Sequence, residues 1–164
     1  MVILMSTGLD ITVKKREPKV VASVSMKGPY TQIGEAFGKL YSWIAEQGYI
    51  PAVPPVGVFH NDPKQVPATE LLWELRCPIA GFAKPTGPDD QGRGFKQVDE
   101  ATMAAIIHKG PIDEIWLSYD TLKGWINSNG YEIIGPPEEV YLAKPDGTLP
   151  GETLTEIRFP VHKR

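Results

Sequence analysis

Apolar residues recur along this chain at two different periods. Over residues 31–47, Ile33, Phe37, Leu40 and Ile44 stand four, three and four positions apart, the spacing that draws one stripe down an α-helix. Thr31 is placed to cap that helix and Gly48 to end it. A second stripe, Ile115, Tyr119, Leu122 and Ile126, predicts a matching helix with Asp113 as cap and Gly130 as stop. Short β-branched and apolar runs flank both helices at 11–16, 20–26, 56–61, 71–79, 138–142 and 154–161, and these read as strands, the first two split by Pro18. Residues 82–94 are rich in Gly, Pro and Asp without periodicity, which predicts a surface linker.

The two stripes belong to an internal repeat. Gly28, Pro29, Ile33, Leu40, Trp43, Ile44, Gly48, Tyr49, Pro54, Pro55 and Val58 recur as Gly110, Pro111, Ile115, Leu122, Trp125, Ile126, Gly130, Tyr131, Pro136, Pro137 and Val140, each pair offset by 110 − 28 = 82 positions. The offset persists through Pro63/Pro145, Glu74/Glu156, Arg76/Arg158 and Pro78/Pro160, and about a third of the paired positions between 22 and 79 are identical. A fixed period of this length marks a duplicated structural unit. The unit reads strand, helix, strand, strand. The predicted fold class is therefore α+β: one domain over 1–164 with repeat one at about 11–80, repeat two at about 95–162, and a largely antiparallel concave sheet of pseudo-twofold symmetry carrying both helices on one side.

Strand alternation assigns faces. Ile157, Phe159 and Val161 share one face of the last strand, Glu156 and Arg158 the other; Leu75, Cys77 and Ile79 likewise stand opposite Glu74 and Arg76. In the penultimate strands Val56 and Val58 match Glu138 and Val140, while Gly57 and Phe59 match Glu139 and Tyr141. Placing the apolar sets beneath the helices sends Glu139 to the face away from them.

Positions where the copies disagree are candidates for function, since packing explains what both keep. Glu139 has Gly57 as its counterpart, so this carboxylate exists once. It is either a solvated strand residue or the single acid of an aromatic-walled cleft, with Gly57 leaving room opposite. Glu74 and Glu156 occur in both copies, each two residues from an Arg, which fits local ion pairs as well as a site; Glu156 is the better site candidate because it shares a copy with Glu139. Trp116 replaces Gly34 and Leu117 replaces Glu35. These two either cap a cleft or an oligomer interface, or widen the packed face.

Composition narrows the chemistry. The chain has 164 residues, 41% hydrophobic and 23% charged, with a formal net charge of -3, and a pI of about 5.6 argues against binding a nucleic-acid backbone directly. The first five residues are too short for a signal-peptide core, and no apolar run approaches a membrane span. A single Cys77 allows no internal disulfide, which makes the cytoplasm the expected compartment. His60, His108 and His162 show no ligand spacing, so no metal or other cofactor is expected. No nucleophile or phosphate-loop motif surrounds Ser, Cys or the linker glycines.

The combined pattern of Gly-Pro, an amphipathic helix ending in Trp-Ile, Gly-Tyr, Pro-Pro, then Glu139-Val-Tyr141 and Thr155-Glu156-Ile-Arg-Phe-Pro160-Val resembles the GyrI-like small-molecule-binding family. That family includes effector-binding domains of AraC-type and MerR-type multidrug regulators and a gyrase-inhibitory protein. The resemblance covers about 11–162. It implies a ligand groove between the two repeats, with the functional acid on Glu139, a second acid at Glu156 and the usual aromatic at Tyr141. The regulators' helix-turn-helix is not expected here, because only about ten residues precede the first strand. Three functions follow as expectations. The first is binding of an amphipathic, cationic aromatic molecule in a groove lined by Glu139, Tyr141, Glu156, Gly57, Phe59, Trp73 and Trp116, for sensing or sequestering toxic compounds. The second is hydrolysis of an electrophilic, cyclopropanoid-type compound with Glu139 as general base beside Tyr141. The third is a protein-binding, gyrase-inhibitor-like module. The expected partner is a small organic ligand, with a separate protein or a second copy of the chain as further options.

Overall fold

The structure is a computed structural model that describes residues 2–4, 11–52, 54–142 and 152–164. It contains two helices, α1 (Ile33–Glu46) and α2 (Ile115–Ser128), among β-strands that pair antiparallel within each of two compact units. One unit spans Pro18–Asp99 and holds α1; the other joins Met1–Glu17 to Glu100–Arg164 and holds α2.

In the first-repeat unit, β3 (Lys19–Lys27), β4 (Ile50–Pro51), β5 (Val56–Phe59), β6 (Leu72–Cys77) and β7 (Ile79–Ala80) are joined by β8 (Arg93–Val98). Their order is β5-β6-β3-β8, with β4 and β7 forming a separate pair. In the second-repeat unit, β1 (Val2–Leu4), β2 (Ile11–Arg16), β9 (Ala101–Pro111), β10 (Tyr131–Ile133), β11 (Glu138–Tyr141) and β12 (Glu152–Lys163) run in the order β1-β2-β9-β12-β11, with β10 on the far end of β12. The units do not follow the repeat boundaries at their edges. Ile11–Arg16 pairs with β9, in the unit built on the second repeat, and Arg93–Val98 pairs with β3, in the unit built on the first.

Each helix buries its stripe on its own sheet. Leu40, Trp43 and Ile44 pack with Ala22, Leu75 and Cys77, while Leu122, Trp125 and Ile126 pack with Ala104, Ile157 and Phe159. The helix starts differ from expectation. Neither Thr31 nor Asp113 makes a side-chain cap; a 3-10 turn after Pro29 or Pro111 leads into each helix, since proline's fixed φ already directs the chain into a turn. The stops are as expected, with Gly48 and Gly130 at φ of 86° and 79°, where a side chain would be strained.

Part of the expected linker is structured. Arg93–Val98 is a strand, and Asp89 accepts from the backbone N–H groups of Gln91 and Arg93 and from Arg93 Nε, closing the turn before it. Gly94 allows close approach there, since a Cβ would meet the Gly87 carbonyl oxygen at 2.2 Å.

Strand register fixes the faces, and it reverses one expectation. Glu139 lies opposite Ile157 and Ile157 opposite Ile106, so these three form a row; Tyr141, Thr155 and His108 form the next row on the same face. Residues directly opposite across an antiparallel pair point the same way. Because Ile157 and Ile106 belong to the core beneath α2, Glu139 and Tyr141 face the helix, not away from it. The first repeat keeps the identical register, with Gly57, Leu75 and Val24 in one row and Phe59, Trp73 and Met26 in the next. Val56 and Val58 were the misleading signal, for they stand opposite Arg76 and Glu74 on the face away from α1. A four-residue strand with apolar residues on both faces does not reveal its helix side; only its partner strand does.

Candidate functional site

The face away from the helices accounts for three buried glutamates. Glu74 is reached by Arg76 at 2.8 Å and Lys96 at 3.2 Å. Glu138 is held by Arg158 at 2.8 Å and by Arg16, and Glu156 by Lys14 at 2.6 Å with Arg158 at 3.7 Å. Burial works against the Glu74 charge, but the Arg76 and Lys96 cations prevail and hold its carboxyl below the usual range. Local ion pairs therefore explain Glu74 and Glu156, and Glu156 lies on the opposite face of the sheet from Glu139.

Glu139 is placed otherwise. It is largely withdrawn from water beneath α2, and two phenols donate to it: Tyr119 Oη to Oε2 at 2.5 Å and Tyr141 Oη to Oε1 at 3.0 Å. Tyr119 comes down from the helix stripe, and its ring stands edge-on to Phe159 with centroids 6.1 Å apart. Among the described residues no Lys or Arg pairs with Glu139. Desolvation raises its pKa above the ordinary value, opposed by the two phenol hydrogen bonds and by any positive charge on His108. Burial, then the Glu139 charge, raises Tyr141 as well, so Tyr141 remains a phenol that donates.

The rest of this polar floor comes from the neighbouring row. Thr155 is buried at 1% exposure, and His108 at 6%. His108 Nε2 lies 2.9 Å from the Pro111 carbonyl oxygen, and its Nδ1 lies 2.8 Å from Ser118 Oγ on α2. Six polar residues thus share one end of one helix–sheet interface: Glu139, Tyr141, Thr155 and His108 on strands, Ser118 and Tyr119 on the helix. Trp116, in the first turn of α2, is 52% exposed.

In the first repeat the corresponding six are Gly57, Phe59, Trp73, Met26, Ala36 and Phe37, of which only Trp73 carries a side-chain hydrogen-bonding group. Trp73 is 1% exposed, its indole N–H donates to the Gly28 carbonyl at 3.0 Å, and Phe59 packs edge-on against Tyr30 at 4.8 Å. Gly57, Phe59 and Trp73 therefore belong to the packed interior of their own unit. The first-repeat unit does carry an open cleft of about 760 Å³ beside α1, floored by Val24, Leu40 and Trp43 and rimmed by Glu35, Lys39 and Arg93. It contains none of the candidate residues.

Sequence reasoning singled out Glu139, Tyr141 and Trp116 but missed Tyr119, His108, Ser118 and Thr155. The signal was available. All four replace apolar residues of the first copy at helix-facing positions, and Tyr119 was hidden by fitting the apolar stripe. Among the described residues no group of three or more His, Cys, Asp or Glu could hold a metal, and no helix is long and apolar enough to cross a membrane.

Comparison with known proteins agrees with this architecture. The profile of the GyrI-like small molecule binding domain matches residues 9–162. A DNA gyrase inhibitor of Erwinia billingiae (strain Eb661) is 28% identical over 161 residues, covering 94% of this chain and 99% of that protein. The crystal structure of the EcmrR C-terminal domain superposes with a TM-score of 0.73 at 24% identity, covering 94% of this chain and 98% of that one. In the cryo-EM complex of EcmrR with DNA the match covers 57% of the EcmrR chain, so this chain spans little more than half of that protein's length. A hydrolase from Listeria innocua gives a TM-score of 0.70 at 16% identity, covering 94% of this chain and 92% of that one.

Proposed function

The chain belongs to the GyrI-like small molecule binding family, and on that premise we propose that its ligand is an amphipathic organic cation with an aromatic body, held beneath α2 against Glu139. Binding of this kind would serve sensing or sequestration of such compounds. The observation that carries the reading is the electrostatic difference between Glu139 and the other withdrawn glutamates. Glu74, Glu138 and Glu156 each have a cation beside them, whereas Glu139 has two neutral phenols. Neutral donors solvate a carboxylate without cancelling its charge, so a desolvated negative site persists that a ligand cation can neutralise. The aromatic rings of Tyr119 and Tyr141 favour the same ligand, because their faces attract cations. Trp116 and Leu117, at 52% and 48% exposure, supply an apolar lip at the start of the same helix.

Glu139→Gln tests the reading, since it keeps the shape and removes the charge. Affinity for a cationic aromatic dye, read by fluorescence titration, falls by ~1–3 kcal/mol, while a neutral dye of similar shape loses little. Equal loss of both dyes, or of neither, refutes the electrostatic mechanism.

A further inference from the structure

Ser118 and His108 form a second chemical pair in the same polar interface, and binding a cation does not require it. Pro111 offers His108 Nε2 a carbonyl oxygen at 2.9 Å, which can only accept, so Nε2 carries the ring proton and Nδ1 presents a bare lone pair. Ser118 Oγ stands 2.8 Å from that lone pair and donates to it. A hydroxyl hydrogen-bonded to an imidazole, with the imidazole fixed by a third group, is the arrangement that activates a serine for attack. Folding does not demand the pair. The first repeat builds the same helix on the same strand register with Met26 and Ala36 in these places. Ser118 is partly exposed although His108 is buried, so the nucleophile is reachable and its base is shielded from water.

We propose that Ser118 is an acyl-accepting nucleophile, with His108 as its general base, that cleaves small carboxylic esters of aromatic alcohols. Ser118 Oγ bonds to the ester carbonyl carbon while its proton passes to His108 Nδ1. The tetrahedral adduct collapses, the carbon–oxygen bond to the alcohol breaks, and the departing oxygen takes the proton from Nδ1. Water, activated by the same nitrogen, then displaces Ser118 and releases the carboxylic acid. The Pro111 carbonyl steadies the imidazolium formed midway, and the negative charge of Glu139 favours it. The proposal deepens the binding reading by giving the same interface a reaction, and it rests on that reading only for access of a ligand to the space beneath α2.

The test is p-nitrophenyl acetate incubated with the full chain and followed by nitrophenolate release and intact mass. The expected result is a burst of one nitrophenolate per chain and one acetyl group that peptide mapping places on Ser118. Ser118→Ala abolishes both; this variant folds, because alanine is a strong helix former and already occupies the matching position in α1. Ser118→Cys retains acylation through its thiol. His108→Asn slows acylation by ~100-fold or more, the scale of removing a general base, while keeping the far-ultraviolet circular dichroism of the wild type. No acetylation of the wild type, or acetylation that persists in Ser118→Ala on a tyrosine or lysine, overturns the proposal. Unchanged dye binding in Glu139→Gln refutes the cation reading alone, whereas a missing burst refutes the nucleophile alone.

Discussion

Thr155 stands in the second repeat where Trp73 stands in the first, each at the centre of a three-residue row beneath its helix. Both are buried at 1% exposure, yet one side chain is among the smallest that carry a hydroxyl and the other is the largest available. The exchange decides how much of the interface side chains fill.

Thr155→Trp therefore converts the second site to the packing of the first. Affinity for a cationic aromatic dye is expected to fall by more than tenfold, with an overpacking cost of ~1–3 kcal/mol in unfolding free energy. The reverse change, Trp73→Thr, opens a cavity and removes the bond to Gly28, destabilising by ~3–5 kcal/mol. Dye titration and urea unfolding of the two variants measure both effects. A Thr155→Trp protein that binds as wild type would place the ligand elsewhere.

The raised pKa of Glu139 gives stability and binding opposite pH dependences. In the window above the ordinary carboxylate range and below the raised value, the folded chain keeps a proton that the unfolded chain has released. Stability from this group therefore falls as pH rises through that window, and the full penalty is present above it. Relative to Glu139→Gln, the wild type loses unfolding free energy as pH is raised from acid to neutral, measurable from urea midpoints. Affinity for a permanent cation moves the other way, rising with pH as the carboxylate ionises. A stability difference that is flat with pH would mean that Glu139 is not desolvated.

Cys77 should be chemically silent until the chain unfolds. It is fully buried, and burial pushes its thiol up to about 11, so almost none is thiolate at neutral pH. Iodoacetamide labelling of native protein at pH 8, followed by mass, should show no modification on the timescale in which urea-unfolded chain is alkylated completely. Rapid labelling of native protein would contradict the burial of β6.

The repeat and its helices were legible because they rest on period and identity. The stripes through Leu40 and Leu122 end at 1% and 0% exposure, as a helix face on a sheet requires. The side of the sheet that Glu139 faces was not legible, because Val56, Val58 and Val140 mimic core residues on the wrong face and only pairing with β6 and β12 exposes this. The strand Arg93–Val98 was hidden by charge, since its half-exposed Lys96 is there to reach the buried Glu74 carboxylate. Four of the six polar residues of the candidate site were invisible for a related reason. Tyr119, Thr155, Ser118 and His108 look ordinary alone, and acquire meaning only when each is set beside its apolar counterpart at the same register.

The placement of the tryptophans has an optical consequence. Of the chain's four, Trp43, Trp73 and Trp125 are buried at 8%, 1% and 6% exposure, while Trp116 stands in water at 52%, one helical turn before Tyr119. Three indoles emit from apolar surroundings, and the long-wavelength edge of the emission belongs to Trp116. On the proposed site, a ligand beneath the start of α2 is expected to shade that single lamp, so that its occupancy would be read from red-edge fluorescence without a label.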